Sequence, residues 1–140
     1  MVVSLSAKWV LMVLLFVSNA MRNAYASHTD FGFLNGIIQD NPKAMPSNLD
    51  MVFERKGKFL VGEWKRTHEE ISVGQKILLK QLAILPNFTV LIINGYSDSE
   101  GIEIDKFYQA GQSSLIYIDS GVDALKSYIN TWYKLSNNAI

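Results

Sequence analysis

The segment Phe88–Asn94, a continuous run of β-branched and apolar residues, is the strongest constraint on how this chain folds. A run of that length without polar alternation reads as a central strand covered on both faces. The chain must then provide neighbouring strands beside it and helices to cover it.

The remaining pattern provides both. Leu49–Arg55 and Lys58–Lys65 are extended-type runs separated by Lys56-Gly57, an X-Gly pair suited to a two-residue hairpin turn. Val73–Leu85 has helical periodicity and stops at Pro86, while Gly101–Tyr108 and Ser114–Ile118 read as strands. A closing helix is predicted over Asp119–Leu135, with Val122, Leu125, Tyr128, Ile129 and Trp132 on its inner face. Ser27–Asn48 is rich in Asn, Asp, Gly, Pro and Ser and reads as loop, with a short helix in the apolar patch Phe31–Ile38.

At the N-terminus, Leu5, Trp9, Met12, Phe16 and Ala20 recur at three- and four-residue steps, which predicts a core helix within residues 1–26. A secretory leader ending at Ala24-Tyr25-Ala26 is the alternative. The core helix is preferred because the apolar run Trp9–Val17 is too short to span a bilayer and Arg22 separates it from the cleavage-like motif. These readings give one domain over 1–140, of α/β class, with a mixed sheet flanked by helices on both faces. They also place it in the cytoplasm with no membrane partner.

Thirteen basic and thirteen acidic residues cancel, so the whole molecule exerts no long-range pull on a polyanion. Any such site must be local. Arg55, Lys56, Lys58, Lys65, Arg66, Lys76 and Lys80 face only Glu63, Glu69 and Glu70 in the same stretch, whereas Asp98, Glu100, Glu103 and Asp105 form an acidic, solvated segment. The absence of cysteine excludes disulfides, thiolate-bound zinc and a thiol nucleophile. With only His28 and His68 present, metal chemistry would have to use oxygen ligands.

A two-residue turn at Lys56-Gly57 pairs Arg55 with Lys58 and, counting outward, Asp50 with Glu63. Side chains alternate across a sheet, so Asp50, Glu63 and Lys65 share a face and Trp64 points the other way into the core. Adjacent carboxylates repel and raise each other's pKa unless a cation compensates. Mg²⁺ satisfies them and retains positions for water and phosphate oxygens. Lys65 is then placed to orient or deprotonate an attacking water, or to balance charge on a phosphate. The alternative for each residue is an ordinary solvated strand surface.

Met45-Pro46-Ser47-Asn48-Leu49-Asp50, the hairpin, and Phe59-Leu60-Val61-Gly62-Glu63-Trp64-Lys65 together resemble the core of the PD-(D/E)XK nuclease superfamily, which includes Holliday-junction resolvases, type II restriction enzymes and small phage nucleases. The resemblance covers Met45–Leu85. It implies a restriction-endonuclease-like core and a Mg²⁺-dependent endonuclease acting on DNA, with Mn²⁺ as a substitute. Asp50 and Glu63 would be metal ligands, the Trp64 backbone carbonyl a third, and Lys65 the catalytic lysine. Gln75 matches a glutamine that many members place beside the site, although Ser72-Val73-Gly74-Gln75 is also a capping box.

Lys56 and Lys58 at the hairpin tip, Arg66, and Lys76 and Lys80 on the following helix are candidates for phosphate contact, the alternative being solvated surface. The resemblance further implies a homo-oligomer, with a dimer favoured because cutting both strands needs two sites. The chain departs from the family in having no acid before Asp30, so Asp30 or His28 would complete the ligand set, or one metal would suffice. A catalytically inactive nucleic-acid-binding or adaptor protein on the same fold is the second reading.

Overall fold

The computed structural model describes residues 29–139. The expected N-terminal helix, its secretory alternative and His28 lie outside them. The chain divides into two units between Pro46 and Ser47. In the first, the expected short helix is one 3-10 turn over Phe31–Leu34, capped by Asp30 Oδ1, which accepts from the Gly32 N–H at 2.8 Å.

The second unit contains β1 (Met51–Arg55), β2 (Lys58–Arg66), α1 (Val73–Ala83), β3 (Phe88–Asp98), β4 (Gly101–Ala110), β5 (Leu115–Asp119) and α2 (Val122–Asn138). These elements form an α/β unit with one five-stranded mixed sheet in the order β1-β2-β3-β4-β5. β2 and β3 are parallel, joined through α1, and the other neighbours are antiparallel.

The hairpin follows from its turn. Lys56 and Gly57 have φ of +52° and +76°, the paired positive values of a type I′ turn. That turn sets Arg55 opposite Lys58 and carries the register outward to Met51 opposite Gly62. β3 is the predicted central strand: Val90, Leu91, Ile92 and Ile93 are all almost fully buried. Its residues divide alternately between two apolar clusters. Val90 and Ile92 pack with Val61 and with Leu79 of α1. Leu91 and Ile93 pack with Leu60, Phe107 and the α2 residues Leu125, Tyr128, Ile129 and Trp132.

Several boundaries differ from the sequence reading, and three of them have a local reason. β3 runs on past Asn94 to Asp98 because the acidic segment closes a second tight hairpin, with Asp98 opposite Gly101. Asp98 Oδ1 accepts from the N–H groups of Glu100 and Gly101 at 2.8 and 3.1 Å, so a polar residue there supports the turn. α1 stops at Ala83, two residues short of Leu85, where the chain turns into Pro86. Asp119 belongs to β5, opposite Phe107, and α2 begins only after Gly121.

The hairpin is clasped to the end of α2. Arg55 Nε and Nη2 both donate to Asn137 Oδ1, at 2.7 and 2.5 Å, and the guanidinium lies 5.4 Å from the centre of the Tyr133 ring. Charge-assisted hydrogen bonds plus a cation–π contact in a half-buried setting predict that Arg55→Ala lowers the unfolding free energy by about 2 kcal/mol, measured by urea titration. Among the described residues, no helix is long and apolar enough to cross a membrane.

Candidate active site

The candidate site lies where the parallel pair β2–β3 ends, the edge at which open α/β sheets bind ligands. Glu63 points to the α1 side of the sheet and is only 2 % exposed. Its Oε1 accepts from Gln75 Nε2 at 2.5 Å and lies 3.4 Å from Lys65 Nζ. Its Oε2 is buried and has no hydrogen-bond partner among the described residues. Burial raises the Glu63 pKa above its ordinary value and the nearby Asp50 charge raises it further, while Lys65 and Gln75 partly offset both.

Asp50 stands one residue before β1, so the ladder ends at Met51 and the predicted pairing with Glu63 is not a strand pair. Its carboxylate is held instead by the backbone: Oδ2 accepts from the Trp64 N–H at 2.8 Å. Trp64 turns to the opposite face from Glu63 and Lys65, as alternation requires, and packs half-buried against the second cluster.

The capping box expected at Ser72–Gln75 is only half formed. Ser72 Oγ accepts from the Gln75 N–H at 3.3 Å and starts α1, but the Gln75 side chain leaves the cap for Glu63. The same four residues therefore begin the helix and bring an amide to the carboxylate. Glu69 is a member of this group that sequence reasoning missed. Its Oε1 lies 3.9 Å from Lys65 Nζ and its Oε2 accepts from the Arg66 N–H at 3.0 Å, which closes the turn after β2. The available signal was its spacing of four from Lys65, hidden because that spacing marks neighbours on a helix and β2 is extended.

The basic candidates separate in space. Arg66 is exposed at the end of β2, beside the carboxylates, and Lys76 and Lys80 are exposed on α1. Lys58 opens the other end of β2, about 23 Å from Lys65 at ~3.3 Å per residue, and Lys56 lies in the turn before it. Lys56 Nζ donates to the Asn137 carbonyl at 2.6 Å, where it neutralises the C-terminal end of α2.

Among the described residues, no group of three His, Cys, Asp or Glu converges on a point. Carboxylate oxygen is the donor a hard divalent cation takes, and Glu63 offers one, while Asp50 lines the cleft on the Trp64 side of the sheet. Glu63 presents a buried, unpartnered carboxylate oxygen, and the Asp50 charge lies close enough to raise its pKa. An unpaired buried oxygen costs the fold about 1–3 kcal/mol.

The sign of the pH dependence follows from the raised pKa. The folded state holds the Glu63 proton more tightly than the unfolded chain, so stability is highest below the ordinary glutamate value and falls as pH rises through the folded value. Glu63→Gln is expected to raise Tm at pH 7.5, with the gain shrinking to nothing in acid. A scanning-calorimetry series from pH 4 to 8 measures it.

No known protein family matches the chain, and neither a curated protein nor a solved structure matches it.

Proposed function

We propose that this chain is a metal-dependent nuclease hydrolysing phosphodiester bonds, an endonuclease acting on DNA, with a restriction-endonuclease-like core in which α1 covers one sheet face and α2 the other. The observation that carries this reading is the buried Glu63 carboxylate, with one oxygen held by Gln75 and Lys65 and the other without a partner among the described residues. An arrangement that destabilises the fold and leaves a charged group poised at a strand end is characteristic of a functional site.

Asp50 and Glu63 are the residues that would hold Mg²⁺ or Mn²⁺. When bound, such an ion polarises the phosphoryl oxygen and acidifies a water. The chain's own groups do the rest. Gln75 and Lys65 hold Glu63 Oε1 and leave Oε2 uncommitted, and the Trp64 backbone N–H orients Asp50. Lys65, steadied between Glu63 and Glu69, presents an ammonium that orients the attacking oxygen and balances the charge gained by the phosphate.

The test is cleavage of plasmid, single-stranded and branched DNA and of RNA, each with Mg²⁺, Mn²⁺ or EDTA. Metal-dependent cleavage of DNA is the expected result. The second reading, a non-catalytic nucleic-acid-binding or adaptor protein, is favoured by one observation: among the described residues no three His, Cys, Asp or Glu side chains converge on a point. Binding of DNA without cleavage under every metal condition selects it.

A further inference from the structure

Resting on the nuclease reading, we infer that the strand this site accepts is unpaired, with one nucleotide seated in the cleft between α1 and the β4–β5 turn. The cleft has a volume of about 280 Å³ and a floor of Leu79, Ile92 and Ala110, with Lys76 and Lys80 on one wall and Ser114 on the other. It adjoins the candidate site directly. Ile92 is the register partner of Glu63 on the next strand, and Lys76 follows the glutamine that bonds Glu63.

The same row continues across the sheet from Ile92 to Tyr108 and from Tyr108 to Tyr117. Partners in register point to the same face, so two aromatic rings extend the line that begins at the carboxylate. They meet edge to face with centroids 5.9 Å apart, and the Tyr117 hydroxyl is held by Ser120 Oγ at 2.9 Å. Tyr117 is half exposed, which leaves its ring available.

Charge and shape select the occupant. Among the described residues, neither Lys76 nor Lys80 has a carboxylate within ion-pair reach, and neither α1 nor residues 111–114 contain an acid. An apolar floor beside two unpaired ammonium groups matches a molecule with a flat aromatic face and an anionic backbone. Aromatic rings along the same line add stacking platforms that accept any base. A paired duplex keeps its bases inside and cannot place one in this recess without opening.

Fluorescence anisotropy on the full chain in EDTA tests this, with labelled oligo(dT), oligo(U) and a blunt DNA hairpin of equal nucleotide count, each titrated over a range of NaCl. Single strands are expected to bind at least about tenfold more tightly than the hairpin, in both the dT and the U arms. The K76Q/K80Q double variant should flatten the slope of log affinity against log salt by about 1.4, as expected for two lost phosphate contacts on a single strand. Tyr117→Ala should weaken single-strand binding at least about fivefold.

Equal or tighter binding of the hairpin, or an unchanged salt slope in K76Q/K80Q, overturns the inference. Because these measurements need no metal, they separate it from the nuclease reading. Retained single-strand binding without cleavage under any metal overturns that reading alone, and metal-dependent cleavage indifferent to the cleft variants overturns this inference alone.

Discussion

Lys65→Ala is expected to lower Mg²⁺-dependent DNA cleavage by about 10³-fold, and Asp50→Ala by at least as much, with both proteins folded. The lysine figure is that of losing one positioned proton-bearing group from a reacting centre. Lys65 is also one of the two groups that offset the burial of Glu63. Its removal should therefore move the acid limb of any residual activity to higher pH, because Glu63 then holds its proton more firmly. Asp50→Ala moves that limb the other way, since it removes a neighbouring negative charge.

A shift of the pH profile in opposite directions is a readout that loss of folding does not produce. Initial rates on single-stranded DNA and on a plasmid between pH 5 and 9, with Tm recorded for each variant, measure both effects. Cleavage that persists in EDTA, or rates equal to wild type in the two variants, would sink the assignment of these residues.

The second large effect concerns the backbone that supports the site. Gly95 lies at a register shift between Asn94 and Gly95, where β3 bulges against β4. A methyl group there would overlap the Glu103 carbonyl oxygen and stand 2.8 Å from Trp64 Cη2. Neither neighbour is the loose end of a flexible chain. Gly95→Ala is therefore expected to cost about 3 kcal/mol, at the upper end of ordinary overpacking, and to lower Tm by roughly 10–20 °C in a unit of this size.

Gly62→Ala provides the contrast. Its nearest obstacle at 2.6 Å is the terminal methyl of Met51, which can swing away, so a cost below about 1 kcal/mol is expected. Equal stabilities for the two variants would mean that Trp64 is not seated on Gly95 as described. If the overlap is relieved by a shift of β2 at Trp64, the backbone N–H that holds Asp50 moves as well, so the surviving Gly95→Ala protein should also cleave more slowly.

Much of the candidate site was legible in the sequence. Lys56-Gly57 specifies a two-residue turn, the turn specifies the register, and a period of two then puts Glu63 and Lys65 on one face and Trp64 on the other. The central strand was equally plain, because four consecutive buried residues leave no polar position to mark an exposed face. Element ends were less so. Ser97 and Asp98 look like a loop by composition, yet they continue β3 because the hairpin beyond them pairs.

Interactions between distant positions were not legible at all. Gln75 satisfies the pattern of a helix cap, and only the packing of the β2–α1–β3 crossover brings its amide to Glu63, twelve residues away. Lys56 reads as a free cation at a hairpin tip, yet it closes the end of a helix 81 residues later. Glu69 reads as solvated charge, yet it steadies Lys65.

The hairpin, its register and the face shared by Glu63 and Lys65 were thus determined by the sequence itself, because turn geometry and strand pleat act over a few residues and admit few alternatives. Which groups surround that face, which carboxylate oxygen is left unpartnered and which lysines stay free were decided only in the tertiary structure. Those outcomes depend on how separate elements pack, and no local spacing encodes that.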